Sequence, residues 1–149
     1  MAIVRITKEF KFEMAHALYG HDGPCRHVHG HSYELFVTIK GVPVIDPQSP
    51  KNGMVMDFTD LKKIVHKNIV TVYDHALVLG NNVPSSEIPQ REGLFERLII
   101  VDFQPSSENL LIHFSRILMP LLPEGIQLYS MKLRETVTSY AEWFADDNA

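Results

Sequence analysis

Two stretches in the first 40 residues alternate apolar and polar positions. In residues 10–18 one face carries apolar side chains together with His16. This period of two predicts a half-buried strand, because successive side chains of a strand point to opposite faces. A second alternating stretch covers residues 29–39, and its apolar face carries His29 and His31. The pattern therefore predicts two consecutive strands with three histidines on their apolar faces.

Two later stretches have helical spacing instead. The first begins at Asp57, whose carboxylate can cap a helix, and its apolar positions recur every three or four residues. They are Phe58, Leu61, Val65, Ile69 and Val72. The second begins after Pro105 with a serine cap. Its apolar stripe consists of Leu110, Leu111, Phe114, Ile117, Leu118 and Leu121.

The remaining segments complete a ββααββ order. Residues 41–53 hold three prolines and are turn-rich, and residues 80–105 form a long connection with a short extended segment at 98–101. Residues 126–144 are predicted to be a closing pair of strands. This order favours an α+β fold, with a four-stranded antiparallel sheet and both helices on one face. The length fits one domain over residues 1–149.

Composition excludes several classes of protein. Hydrophobic residues make up 45% of the chain and charged residues 21%, which is typical of a globular domain with a real core. The net charge of -4 offers no broad positive field for nucleic acid. No apolar run is long enough for a bilayer, and the N-terminus lacks the apolar stretch of a secretory signal. Because Cys25 is the single cysteine, no internal disulfide is expected, and we expect a cytoplasmic protein.

Histidines are concentrated in one part of the chain. Five of the eight lie between residues 16 and 31, most of them in the run Cys25-Arg26-His27-Val28-His29-Gly30-His31. Residues i and i+2 of a strand point the same way, so His29 and His31 can bind one ion, with His16 as a third ligand. Three histidines with an open position are typical of catalytic zinc, although iron, nickel or copper also bind imidazole. His27 is a rival ligand.

Other residues carry candidate chemistry. Cys25 lies beside the predicted metal, which would favour its thiolate and a role as base or nucleophile. In the dipeptide Asp74-His75 a carboxylate can orient an imidazole. Glu135, in a predicted strand, can accept two hydrogen bonds from a planar N–H fork. Glu108 is ambiguous, because an acid in the first turn of a helix is favourable in any case.

Short motifs in a fixed order cover nearly the whole chain. They are Phe12-Glu13-Met14-Ala15-His16, Cys25-x-x-x-His29-Gly30-His31, Met56-Asp57-Phe58, Tyr73-Asp74-His75-x-Leu77, Pro105-Ser106-Ser107-Glu108-Asn109 and Glu135-Thr136. Together they resemble the family of 6-pyruvoyl-tetrahydropterin synthases and 6-carboxy-5,6,7,8-tetrahydropterin synthases.

The resemblance implies a tunnelling fold, in which subunits join their sheets into a barrel, commonly as a homohexamer. It implies zinc on His16, His29 and His31, and 7,8-dihydroneopterin triphosphate as the substrate. It further implies the following site residues: Cys25 as base, Asp74 and His75 as proton relay, Glu135 as pterin anchor and relay member, and Ser106, Ser107 and Glu108 as substrate contacts.

The three-residue gap between Cys25 and His29 resembles that of the carboxy-forming members of the family. This resemblance implies the carboxy-forming reaction of queuosine synthesis, which releases acetaldehyde and triphosphate. The pyruvoyl-forming lyase of biopterin synthesis is the alternative, since it would share the metal and the base. A non-catalytic zinc- or pterin-binding module is a second alternative. A zinc hydrolase using metal-bound hydroxide is a third, and it would not need Cys25.

Overall fold

The computed structural model describes residues 1–88, 93–94 and 97–149. Its strands are β1 (Val4–His16), β2 (His29–Gly41), β3 (Ala76–Gly80), β4 (Arg97–Val101), β5 (Gln127–Thr136) and β6 (Ser139–Phe144). Its helices are α1 (Phe58–Val65), α2 (Thr71–Tyr73) and α3 (Ser107–Leu118), with a π-helical turn over His66–Val70 between the first two. Part of the predicted 80–105 connection, at residues 89–92 and 95–96, lies outside the described residues.

The sheet has six described strands in the order β4-β3-β1-β2-β5-β6. The pairs β1–β2, β2–β5 and β5–β6 are antiparallel, as predicted, whereas β3 pairs with β1 and β4 in parallel. The expectation of four antiparallel strands was therefore wrong. The sequence pattern did not predict β3, because all five of its residues are buried. A strand covered on both faces is a continuous apolar run with no alternation to detect.

The pairing of β1 with β2 places the site residues. The two strands pair along their whole length, so that His16 lies opposite His29 and Phe12 lies opposite Tyr33. The rings of Phe12 and Tyr33 stack with centroids 5.3 Å apart. On both strands the alternate residues that face the helices are buried, which confirms the predicted period of two.

The helices begin where their caps predict. The carboxylate of Asp57 accepts a hydrogen bond from the Thr59 N–H at 2.8 Å, and Ser106 Oγ accepts one from the Asn109 N–H at 3.2 Å. Each bond satisfies a main-chain donor that the first turn leaves without a partner. Within the described ranges, no helix has the length and apolar character needed to cross a membrane.

One large apolar core lies between the helices and one face of the sheet, which confirms the predicted layer arrangement. A smaller cluster of Ala17, Leu77 and Leu79 lies on the other side of β3 and contacts Val83 and Ile88. The chain after β3 therefore covers the face of that strand that the helices leave open. This second layer explains why β3 is buried throughout.

His113 on α3 is a titratable side chain that packs against the core. Its ring contacts Phe103 and Tyr73, with centroids 5.1 and 6.4 Å away. Burial lowers its pKa below the usual value, and Arg116 acts in the same direction, although Asp102 opposes them. The unfolded chain therefore takes up a proton at a higher pH than the folded chain, so His113 makes the protein less stable as the pH falls below about 6.5.

We predict that His113→Leu reduces the loss of unfolding free energy between about pH 7.5 and about pH 5, since leucine keeps an apolar contact and does not titrate. Urea unfolding at a series of pH values measures this loss. His21→Asn is the control, because His21 lies outside the core with 43% of its side chain exposed. An unchanged pH dependence in His113→Leu would contradict the prediction.

Candidate metal centre

His16, His29 and His31 converge at one end of the β1–β2 pair. Their ring centroids are 4.6 to 5.2 Å apart. Each ring offers one nitrogen to a group in which all ligand atoms lie within 4.8 Å of one another. His16 is 1% exposed, so the cluster reaches into the core. These three residues could hold a metal ion.

Main-chain carbonyls orient two of the rings. The Pro105 oxygen lies 2.7 Å from His16 Nδ1, and the His27 oxygen lies 2.7 Å from His29 Nδ1. A carbonyl oxygen only accepts hydrogen bonds, so both Nδ1 atoms carry the hydrogen. In the neutral rings both Nε2 atoms are then lone pairs, and they lie 3.0 Å apart. Two lone pairs at this distance repel each other unless a proton or a metal ion lies between them.

His31 contributes the third nitrogen. Its Nε2 atom is buried and has no hydrogen-bond partner among the described residues. The Glu135 Oε1 atom is 3.3 Å away, but this contact lacks hydrogen-bond geometry. A buried nitrogen without a partner is costly, and a metal ion would satisfy it. The three nitrogens therefore fit a divalent metal ion with an imidazole-ligated, open coordination shell.

Burial favours the neutral form of these rings. It lowers the pKa of His16, an effect that the hydrogen bond to the Pro105 carbonyl opposes. Burial likewise lowers the pKa of His31, while the charge of Glu135 opposes the change. A neutral imidazole is the form that ligates a metal. The core thus keeps the lone pairs of these two rings available.

Glu135 lies beside the cluster near the end of β5. Its Oε2 atom accepts a hydrogen bond from Ser107 Oγ at 2.6 Å. Ser107 is buried in the first turn of α3, so the helix start holds the carboxylate in place. A small cleft is lined by Ser107, Glu108, Glu135, Ser139, Tyr140 and Ala141. Two of the predicted substrate contacts and the predicted pterin anchor therefore line one cleft, while Ser106 caps α3 with its hydroxyl.

Asp74 and His75 occupy the turn before β3. Asp74 Oδ1 accepts a hydrogen bond from the Glu13 N–H at 2.8 Å and lies 3.1 Å from His75 Nδ1. Burial acts to raise the pKa of Asp74, but the Glu13 N–H and His75 outweigh it, and the pKa is lowered. The carboxylate is therefore held in its charged form beside the imidazole.

The backbone of His75 has a φ angle of 61°, in the left-handed region that non-glycine residues rarely adopt. Such strain often accompanies function. His75 and His31 line a common cleft together with Glu13 and Ser32. Among the residues the structure describes, however, no hydrogen bond or ion pair joins Asp74 or His75 to the three imidazoles.

Cys25 lies in a short 3-10 turn over Pro24–Arg26, with a half-buried thiol. Its carbonyl accepts a hydrogen bond from the Leu18 N–H at 2.9 Å, which closes the loop just after His16. Within the described part of the chain, its sulfur is not among the converging ligand atoms. His27, the rival ligand, is exposed and contributes its carbonyl oxygen to His29 instead.

Sequence reasoning missed the groups that orient the site. The carbonyl of Pro105 is 89 residues away from His16 in the chain, so no local pattern reveals the contact. Tyr33 was recognisable only as an apolar-face residue, yet its hydroxyl lies 3.4 Å from His16 Nε2. The spacing His29-x-His31-x-Tyr33 was the available signal, because all three side chains share one strand face.

Solved structures share this fold. An uncharacterized protein from Wolinella succinogenes matches with a TM-score of 0.77 at 22% identity, covering 97% of this chain and 99% of that one. The 6-pyruvoyl tetrahydropterin synthase of Caenorhabditis elegans matches with a TM-score of 0.66 at 24% identity, covering 97% and 96%. A mixed sheet with helices packed on one face is thus the fold of known proteins.

Sequence relatives identify the family. The 6-carboxy-5,6,7,8-tetrahydropterin synthase of Haemophilus influenzae is 38% identical over 143 residues, covering 93% of this chain and 97% of that protein. The protein of the same name from Rickettsia bellii is 26% identical over 144 residues, covering 94% and 99%. Residues 5–146 match the family described as 6-pyruvoyl tetrahydropterin synthase. The chain belongs to this family of tetrahydropterin synthases.

We predict that the purified protein binds about one metal ion per chain, as expected of a three-histidine site. His29→Ala and His31→Ala should each lower the metal content strongly, because each removes one of three nitrogens. Elemental analysis of the purified variants measures this content.

His27→Ala is the matched control for this prediction. It removes a neighbouring imidazole but keeps the main-chain carbonyl that orients His29. Full metal occupancy in a variant lacking all three of His16, His29 and His31 would show that the metal lies elsewhere.

Proposed function

We propose that this chain is a zinc-dependent lyase that forms 6-carboxy-5,6,7,8-tetrahydropterin from 7,8-dihydroneopterin triphosphate and one water molecule, releasing acetaldehyde and triphosphate. The observation that carries this proposal is the convergence of three imidazole nitrogens beside a carboxylate held by a hydrogen bond. Family membership makes a reduced pterin the expected substrate class. Zinc is the proposed metal because it accepts three imidazoles and keeps one position open.

Different residues of the chain are proposed to bind the metal and the pterin. His16, His29 and His31 would hold the ion. When bound, zinc supplies Lewis-acid polarisation that acidifies a C–H of the substrate side chain. Glu135 is the proposed pterin anchor, since a carboxylate suits the planar N–H fork of a pterin edge. Ser107 supports this role by holding one carboxylate oxygen 2.6 Å away.

Cys25 is the proposed base. The loop that carries it is closed by the bond from Leu18, two residues after the ligand His16. A thiol close to a cation loses its proton more readily, which suits it to abstract a proton from carbon. Asp74 and His75 are the proposed relay, and their mutual contact of 3.1 Å would let the carboxylate orient the imidazole.

Ser106 and Glu108 are proposed as further substrate contacts at the start of α3. Glu108 is exposed and lines the cleft of Glu135, so it can reach a ligand there. Ser106 uses its hydroxyl to cap the helix, and it would contact the substrate beside that bond.

The carboxy-forming reaction is favoured over the pyruvoyl-forming one. The Haemophilus influenzae and Rickettsia bellii relatives carry the carboxy-forming name. The three-residue gap between Cys25 and His29 points the same way. The Caenorhabditis elegans structure named as a pyruvoyl-forming enzyme is 24% identical to this chain, and so bears on the fold alone. We further propose a cytoplasmic homohexamer that serves queuosine synthesis.

Product identification tests the reaction directly. We expect the zinc-loaded protein to convert 7,8-dihydroneopterin triphosphate into 6-carboxytetrahydropterin and acetaldehyde, both identified by mass spectrometry. Formation of 6-pyruvoyltetrahydropterin with triphosphate alone would support the alternative lyase. Binding of the pterin without turnover would support a non-catalytic module.

Single substitutions separate binding from chemistry. Cys25→Ala should lower kcat on the order of a hundred- to ten-thousand-fold, as loss of a general base does, while zinc and pterin still bind. Glu135→Ala should keep zinc but lose pterin affinity, and Asp74→Asn should keep zinc and slow turnover. Steady-state kinetics, metal analysis and pterin titration measure the three effects.

Ser115→Ala is the structural control, because Ser115 is buried on α3 and donates to the Ile112 carbonyl, away from the imidazoles. Turnover by Cys25→Ala at nearly the rate of the unmodified protein would remove the thiol from the mechanism. A zinc hydrolase, which needs no such base, would then be the better explanation.

A further inference from the structure

The loop that carries Cys25 joins β1 to β2 over residues 17–28. Two backbone hydrogen bonds close it at Leu18. The Leu18 N–H donates to the Cys25 carbonyl at 2.9 Å, and the Leu18 carbonyl accepts from the His21 N–H at 3.0 Å. Both main-chain polar groups of Leu18 are thus used inside the loop. Any contact that fixes Leu18 and its neighbour Tyr19 therefore also restrains Cys25.

Among the described residues, two side-chain hydrogen bonds reach this loop from outside it. Gln104 Nε2 donates to the Tyr19 carbonyl at 3.0 Å, and His29 Nδ1 donates to the His27 carbonyl at 2.7 Å. His29 directly follows the loop in the chain, whereas Gln104 is 85 residues away from Tyr19. Gln104 therefore attaches the Leu18 end of the loop to the segment that precedes α3.

The backbone of Gln104 is itself held by the start of α3. Its carbonyl accepts hydrogen bonds from the Ser106 N–H at 2.8 Å and from Asn109 Nδ2 at 3.0 Å. The next residue, Pro105, gives its carbonyl oxygen to His16 Nδ1. Two consecutive residues thus bind the Cys25 loop and a metal-ligand ring, so the loop and the ring share one support.

The oxygen of the same side-chain amide has no partner. Gln104 Oε1 is buried and makes no hydrogen bond within the described part of the chain. Rotating the amide would bring this oxygen against the Tyr19 carbonyl, where two acceptors repel, so the bond to Tyr19 fixes the orientation. A buried acceptor without a partner destabilises the fold, and such groups concentrate at functional sites. The amide is therefore better explained by its bond to the loop than by a gain in stability.

We infer that Gln104 is a positioning residue, which holds the Cys25 loop against the start of α3 and so sets where the thiol lies relative to the His16 ring. This inference rests on the proposed function, because it takes Cys25 as the base. A base must lie within hydrogen-bond reach of the proton that it removes. A displacement of about 1 Å can lower the rate on the order of a hundredfold.

Gln104→Met tests the role of the amide in the full-length, zinc-loaded protein. Methionine is unbranched like glutamine, and it removes both the N–H donor and the unsatisfied oxygen. These two losses have opposite effects on stability, so we expect little change in the urea midpoint. We expect kcat to fall about tenfold or more, with KM and zinc content unchanged, because the base is displaced while the ligands remain.

Two further measurements need no substrate. Because Cys25 is the single cysteine, alkylation by iodoacetamide reports on this half-buried thiol alone. Hydrogen exchange of the Leu18 amide, followed by NMR, reports on closure of the loop. Loss of one net hydrogen bond in Gln104→Met should raise both rates about three- to tenfold. Gln104→Lys, which restores a donor of similar reach, should return the exchange rate toward that of the unmodified protein.

Gln127→Met is the matched control. Gln127 is exposed at the start of β5 and pairs with Lys40, at the opposite end of β2 from His29. The same change of side chain there should leave kcat, alkylation and exchange unchanged.

Unchanged exchange and alkylation in Gln104→Met would overturn the inference. Faster exchange with an unchanged kcat would also overturn it, because the attachment would then not serve the base. Parallel losses of unfolding stability, zinc content and kcat would mean that Gln104 only supports the fold. If the unmodified protein did not turn over the pterin, the proposed function would fail, and the exchange and alkylation rates would still decide whether Gln104 holds the loop.

Discussion

The anchoring of two imidazoles by main-chain carbonyls is the constraint on which the site depends. Each carbonyl fixes a hydrogen on Nδ1, so each ring presents the lone pair of Nε2 to the same small volume. The resulting 3.0 Å contact between acceptors is unfavourable in isolation. The contact becomes favourable when a cation lies among the three rings, so a bound cation would stabilise this arrangement of the imidazoles.

The start of α3 connects the elements around this centre. Pro105, just before the helix, binds His16, while Ser107 in its first turn binds Glu135. One short segment therefore orients a metal ligand and the carboxylate beside the metal. The Ser106 cap fixes where that helix begins. Stability and site geometry are coupled here, because loss of the helix start would release both side chains.

The two faces of the sheet have different roles. The helix-facing side buries the apolar core and the His16 imidazole. Asp74 and His75 lie at the turn before β3, where His75 lines a cleft with Glu13 and Ser32. The left-handed backbone of His75 is held there by a hydrogen bond from its N–H to the Glu13 carbonyl at 2.5 Å. The parallel pairing of β3 with β1 on one side and β4 on the other therefore holds the turn that carries Asp74 and His75 next to β1.

Local sequence was sufficient for the antiparallel strands, the helix starts and the three histidines, because alternation, capping and i, i+2 spacing are properties of neighbouring residues. The pairing of His16 with His29 needed only two adjacent strands. Local sequence was not sufficient to predict β3, because a strand whose residues are all buried shows no alternation. It was also not sufficient to predict the parallel edge of the sheet that β3 and β4 form.

Only the tertiary structure decided that Nδ1 of His16 carries hydrogen, that Ser107 holds Glu135, and that the hydroxyl of Tyr33 points at the metal centre. These contacts join residues 17 to 89 positions apart in the chain. Their geometry depends on how helices pack on the sheet, and no local pattern in the sequence carries that information.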